Sequence, residues 1–162
     1  MQLPTLAKRV WILLFLAVIA SYLYGLGHLP LIGPDEPRYA QVAREMWQRG
    51  DLITPTLGGH AWFEKPALFY WLMMAGYALF GTSEVGARLG SAVCALLTIA
   101  AVFWAGRSVA KSTEHTGLCG LGGWSALVTA SMLGIIVFSR AASFDIIVTM
   151  TITWSLSFFL VH

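Results

Sequence analysis

Apolar residues are not spread evenly along this chain. They fall into five uncharged stretches, from Val10 to Pro34, Pro66 to Ser83, Leu89 to Gly106, Thr116 to Ser139, and Ile146 to the chain end. A helix needs about 20 predominantly apolar residues to cross a bilayer. On that measure the pattern predicts spans at about 10–31, 85–107, 117–138 and 146–162, the second starting near Val85 with Arg88 close to the interface. The dense apolar part of the remaining stretch, 67–80, gives a helix of about 21 Å, short of the roughly 30 Å hydrocarbon core. Its Phe69, Tyr70, Trp71 and Tyr77 are residues that favour membrane interfaces.

Charge placement bears on that ambiguous stretch. Lys8 and Arg9 precede the first span, and Arg107 and Lys111 follow the second. If both clusters are cytoplasmic, an even number of crossings separates them. The segment 67–80 is then interfacial or re-entrant rather than a full span, and residues 33–66 and the turn holding Arg140 and Asp145 face the same outer compartment. A cleavable leader at the N-terminus fits less well, because the apolar run continues well past Ala20. The expected fold class is therefore all-α: a polytopic membrane protein forming one membrane domain over 1–162, with about four transmembrane helices and juxtamembrane helical structure in the first outer loop.

Composition sharpens this. Hydrophobic residues make up 57% of the 162 positions and charged residues 11%, with a mean hydropathy of +0.72. A soluble domain is about 25% charged. Disorder and collagen are excluded by the same apolar bias and by glycines without a period of three. The net charge of +2 reads as loop topology, not nucleic-acid binding. Cys94 and Cys119 lie in apolar stretches as inert thiols, and no pair among the four histidines has the spacing of a helical metal site. The glycine-rich run Gly117–Gly123 follows a polar loop, not a strand, so it reads as close helix packing, not a phosphate loop.

Half of the charged residues fall in 33–66, GPDEPRYAQVAREMWQRGDLITPTLGGHAWFEKP. Its first part predicts an amphipathic helix over 37–49. Asp35 or Glu36 caps it, Pro37 suits the first turn and Gly50 stops it. Tyr39, Val42, Ala43 and Met46 form an apolar face able to rest on the membrane, and Arg38, Gln41, Glu45 and Gln48 a polar one. Asp35 and Arg38 are three apart and share a face. Two readings stand side by side: a solvated helix cap, or a carboxylate serving as general base beside a cation that holds phosphate. Lys65 reads either as a snorkelling anchor or as a second phosphate ligand. Asp145 reads either as a cap of the last helix or as a functional acid at membrane depth.

The same residues carry a family resemblance. Pro34-Asp35-Glu36-Pro37-Arg38-Tyr39-Ala40, then Phe63-Glu64-Lys65-Pro66 with Leu68-Phe69-Tyr70-Trp71-Leu72, then Gly81-Thr82-Ser83-Glu84 and Arg88-Leu89 resemble the integral-membrane glycosyltransferases of the protein O-mannosyltransferase and aminoarabinose-transferase (ArnT-like) group, with the GT-C fold. The turn from Arg140 to Asp145 is similar to the family's second acidic motif, less specifically. The resemblance implies transfer of a sugar from a polyprenyl-phosphate donor to a lipid, protein or glycan acceptor, on the periplasmic side of a bacterial inner membrane. It implies Asp35 as the catalytic acidic residue, with Glu36 in the same motif and Asp145 as the second acid. Lys65 and Arg38 are then donor-phosphate ligands, and Tyr39 and Glu64 line the substrate cavity. A single inverting displacement follows, which tolerates a divalent metal without requiring one. Family members are several times longer, so the chain reads as an N-terminal portion whose missing helices come from elsewhere, a second chain included. The alternative is a non-catalytic membrane fragment or subunit that binds lipid phosphates or partner helices. A small carrier ranks last for want of a mid-span charge.

Overall fold

The structure is a computed structural model describing residues 5–110 and 120–161. Lys111, Cys119, His115, His162 and the beginning of the expected span 117–138 lie outside the described residues. The elements in chain order are α1 (Thr5–Leu23), α2 (Asp35–Arg49), β1 (Thr56–Leu57), β2 (His60–Ala61), α3 (Ala67–Phe80), α4 (Glu84–Val109), α5 (Leu121–Ser131), α6 (Leu133–Ser139) and α7 (Asp145–Val161). The helical, polytopic membrane architecture expected from the sequence is what the chain adopts, with two to three membrane-length units among the described residues where about four were expected, since α7 is apolar but has only 17 residues. Helices α1 and α4 are each long and apolar enough to cross a bilayer, and α5 with α6 forms a third such unit, bent by 64°.

Three boundaries differ from expectation. The first span stops at Leu23, because Gly25 turns the chain at φ 72° and Pro30 follows in the linker to α2. The third is broken at Met132, whose backbone is extended at φ −67° and ψ 126°. The Thr129 and Ser131 hydroxyls donate back to the Ser125 and Val128 carbonyls there, a pattern that bends helices, and Gly134 follows. Helix α2 begins at Asp35, with Pro34 as its N-cap and no side-chain capping bond, so neither Asp35 nor Glu36 is the cap.

Helix α4 is the centre, with α3, α5 and α7 packed around it. Small residues allow the close approaches. A Cβ on Gly76 would overlap the Gly86 carbonyl where α3 turns back along α4. A Cβ on Gly122 would come within 2.6 Å of the Phe103 carbonyl oxygen where α5 meets α4, so this part of the glycine-rich run does serve close packing. Helix α1 touches α4 more lightly, through Phe15 against Phe103 at 5.7 Å, and Trp11 meets Trp124 of α5 at 5.1 Å.

Helix α2 ends as expected at Gly50, in the left-handed region at φ 64°, with its N–H on the Met46 and Trp47 carbonyls. Its apolar face does not lie against lipid. Tyr39, Val42, Ala43 and Met46 are buried against α3, where Tyr39 meets the Phe69 ring at 5.2 Å and the Tyr77 hydroxyl donates to the Ala40 carbonyl at 3.1 Å. Burying the face against protein fixes the orientation of α2, and therefore of the charged residues at its beginning.

Candidate functional site

The two acidic residues that open α2 have opposite fates. Glu36 is buried and its carboxylate is fully used. Oε1 accepts from Arg88 Nε at 3.1 Å and from the Ala142 amide at 2.6 Å, and Oε2 accepts from Arg88 Nη2 at 2.8 Å and from the Ile32 amide at 2.7 Å. Arg88 is buried in the first turns of α4 and also donates to the Leu26, Leu29 and Pro30 carbonyls. Burial works to raise the Glu36 pKa, but the Arg88 hydrogen bonds, the two amides and the guanidinium charge outweigh it and hold the carboxyl below its usual value. This latch ties together the linker after α1, the start of α2, α4 and the turn before α7.

Asp35 faces outward and pairs with Arg38 one turn along. Arg38 Nε lies 3.7 Å from Glu64 Oε2, and Lys65 Nζ lies 3.6 Å from Glu64 Oε1. The Tyr39 hydroxyl donates to Glu64 Oε1 at 3.3 Å and the Trp62 indole N–H to Oε2 at 3.1 Å. Arg38 also lies over the Tyr39 and Trp62 rings, at 5.6 and 5.8 Å. Lys65 lies over Tyr39 at 5.5 Å and over Phe144 at 5.9 Å. Desolvation pushes the Glu64 carboxyl up, yet Arg38, Tyr39 and Lys65 together bring it below its usual value. The Tyr39 hydroxyl beside Lys65 raises the ammonium pKa, with Glu64 adding to it, so the group stays charged. Beneath this cluster the Tyr70 hydroxyl is buried without a hydrogen-bond partner, as is Arg38 Nε.

The sequence-predicted residues Asp35, Arg38, Tyr39, Glu64 and Lys65 therefore come together. Glu36 does not join them, because its oxygens point into the Arg88 latch. Asp145 stands at the first turn of α7, exposed, and accepts from the Ser143 hydroxyl at 2.9 Å. It makes no ion pair among the described residues. Its turn is nonetheless drawn to the start of α2 by the Ala142–Glu36 bond and to Lys65 through Phe144, and Ser143 exchanges hydrogen bonds with Ser91 of α4.

Two placements that hold the site's elements escaped the sequence reading. Arg88 read as an interfacial charge, although a single cation at the head of a long apolar helix is itself a signal of a buried partner. Glu45 read as a solvated face. Its carboxylate instead accepts from the Thr56 hydroxyl at 2.6 Å and from the Gly58 and Gly59 amides at 2.8 and 3.3 Å, clasping the hairpin of β1 and β2 to α2. These bonds, Thr56 first, bring the Glu45 pKa down to about 2.

The comparison with known proteins accords with this arrangement. The model of the dolichyl-phosphate-mannose-protein mannosyltransferase family matches residues 7–162. The undecaprenyl phosphate-alpha-4-amino-4-deoxy-L-arabinose arabinosyl transferase of Pseudomonas paraeruginosa is 33% identical over 114 residues, which are 70% of this chain and 21% of that protein. The enzyme of the same name from Yersinia enterocolitica is 32% identical over 143 residues, 88% of this chain and 24% of that one. The crystal structure of ArnT from Cupriavidus metallidurans bound to undecaprenyl phosphate superposes with a TM-score of 0.81 at 30% identity, covering 93% of this chain and 27% of that chain. The chain thus spans about a fifth to a quarter of the length of the relatives it matches. Sequence, fold and the family match over residues 7–162 agree: the chain belongs to the dolichyl-phosphate-mannose-protein mannosyltransferase family, a family of membrane glycosyltransferases.

Proposed function

We propose that the chain is the N-terminal part of a glycosyltransferase that moves a sugar from a polyprenyl-phosphate donor to a lipid, protein or glycan acceptor at the periplasmic face of a bacterial inner membrane. The observation that carries this reading is the convergence of Arg38 and Lys65 on one carboxylate, with Asp35 beside them at the head of a rigidly held helix. Displacing a polyprenyl phosphate from an anomeric carbon needs fixed cations where the leaving phosphate gains charge. Arg38 and Lys65 supply them. Asp35 takes the proton of the acceptor hydroxyl. The acceptor oxygen then forms the new bond to the anomeric carbon as the phosphate oxygen departs with the old bonding pair, inverting the centre in one step. Tyr39 and Glu64 line the cavity that receives the phosphate, Glu36 positions Asp35 through the latch, and Asp145 serves as a second acid toward the acceptor. The undecaprenyl phosphate bound by the ArnT structure and the donor in the transferase names support a lipid-phosphate substrate.

The pairing of Arg38 and Lys65 around one carboxylate also fits one other reading, a subunit that binds lipid phosphate without catalysing transfer. It uses Arg38 and Lys65 but not Asp35. Replacing Asp35 by Asn in native membranes separates the two. Sugar transfer from a polyprenyl-phosphate donor should be lost while polyprenyl-phosphate binding persists. Transfer equal to the parent contradicts the catalytic role of Asp35.

A further inference from the structure

We propose that Glu64 is an internal stand-in for the donor phosphate, occupying the Arg38–Lys65 cation pair until an oxyanion ester displaces it. The inference rests on the reading above that these two cations receive the phosphate, and it adds that they are already engaged by a carboxylate built into the chain.

Three observations carry it. The first is chemical. Glu64 accepts hydrogen bonds from two neutral donors, Tyr39 and Trp62, and lies within ion-pair distance of two cations, Arg38 and Lys65, the set of groups that recognises a phosphate. The second is geometric. Its distances to Arg38, Lys65 and Tyr39 are 3.7, 3.6 and 3.3 Å, long for charge-assisted contacts, which settle near 2.7–2.9 Å. No backbone amide among the described residues fixes it, and its side chain is 33% exposed in the loop before Pro66. Rotation of one side chain frees it without breaking a helix. The third is the pair of buried donors left unserved, Arg38 Nε and the Tyr70 hydroxyl. A carboxylate has two oxygens and leaves them unfilled. The donor's phosphodiester matches the carboxylate in charge and adds bridging oxygens, and the polyprenyl phosphate it becomes has three free oxygens and up to a full extra charge, so the exchange grows more favourable for the cations as the leaving phosphate develops. The exchange makes no covalent change: Glu64 leaves as a carboxylate and gains water.

Such a device keeps two like charges, Arg38 and Lys65, close together before the donor arrives. It also sets a threshold that neutral headgroups do not pass, since they cannot outcompete a carboxylate.

The test is isothermal titration of the purified, detergent-solubilised chain with a water-soluble short-chain polyprenyl phosphate. Glu64→Gln removes the competing charge while keeping the shape. Glu64→Asp keeps the charge in the loop but shortens its reach by one methylene. Both variants should bind the probe more tightly than the parent, by about three- to tenfold, the scale of releasing two exposed ion pairs. Tightening in Glu64→Gln with parent affinity in Glu64→Asp shows a diffuse charge effect and overturns the stand-in. Weaker binding in both makes Glu64 a ligand organiser and overturns it as well. Arg38→Gln and Lys65→Gln test the underlying reading separately. If these two bind as the parent does, the phosphate site itself lies elsewhere. If they bind weakly and the Glu64 variants do not tighten, only the stand-in fails. Should Glu64→Gln not fold, Glu64→Asp carries the comparison alone.

Discussion

Glu36 and Glu64 are both carboxylates paired with an arginine, and they do opposite work. Glu36 is buried, with four hydrogen bonds between 2.6 and 3.1 Å that join segments distant in the chain. Glu64 sits at the surface, with cation distances of 3.6 and 3.7 Å. The first cannot let go without stranding a guanidinium in the interior. The second can move at little cost. A charge that is fully satisfied is architecture, and a charge loosely shared between cations is available to a ligand. Asp35 shows the same contrast over one peptide bond: adjacent to Glu36, it points the other way and joins the exposed cluster.

The sharpest way to break the comparison is to remove one side of the latch. Arg88→Ala leaves Glu36 buried and unpaired and should cost about 3–5 kcal/mol, read as a large fall in thermal unfolding temperature in detergent. Replacing the pair together, by Glu36→Gln with Arg88→Met, should recover much of that loss, since no charge is left stranded. If the double variant is as unstable as the single, the ion pair is not the source of the penalty. Next in size, Lys65→Gln should weaken polyprenyl-phosphate binding by about tenfold while leaving the unfolding temperature unchanged. A fall in stability without loss of binding would move Lys65 to the structural side.

The smallest effect is on pH. The Glu45 carboxyl is depressed to about 2 by its hairpin bonds, so its stabilisation is complete above the usual 4.5 and fades as pH falls from there toward about 2. Because the group is only partly buried, the change is worth only about 1 kcal/mol. The Trp62 region, which follows the hairpin, should loosen in that window, measured by hydrogen exchange. Glu45→Gln should abolish the pH dependence. The Arg88 latch runs in the same sense, since the Glu36 pKa is also lowered, and its contribution is lost as pH falls through the depressed value.

What the sequence made legible follows a physical division. The two faces of α2 and its stop at Gly50 were readable, because helix periodicity and the left-handed preference of glycine are local. So were the bounds of α3, 67–80, set by Pro66 before it and Gly81 after it. The residues Asp35, Arg38, Glu64 and Lys65, which the structure brings into one cluster, were readable as candidates because two short motifs carry them. What escaped was long-range. Arg88 and Glu36 are 52 residues apart and Glu36 and Ala142 are 106 apart, and no period connects them. For the same reason Glu36 was grouped with the catalytic acids, since its direction is decided by α4 and not by its neighbours. The apolar face of α2 was legible as apolar, but its partner was read as lipid when it is α3. The break at Met132 depends on Ser and Thr hydroxyls turning back on their own helix, which a hydropathy pattern does not register.

The proposed chemistry depends most directly on Asp35, the outward-facing carboxylate. Sugar transfer from a polyprenyl-phosphate donor, measured per folded molecule in native membranes, should fall by about a hundredfold or more in Asp35→Asn, with the unfolding temperature unchanged. Transfer at the parent rate in that variant would contradict the assignment of chemistry to the exposed cluster.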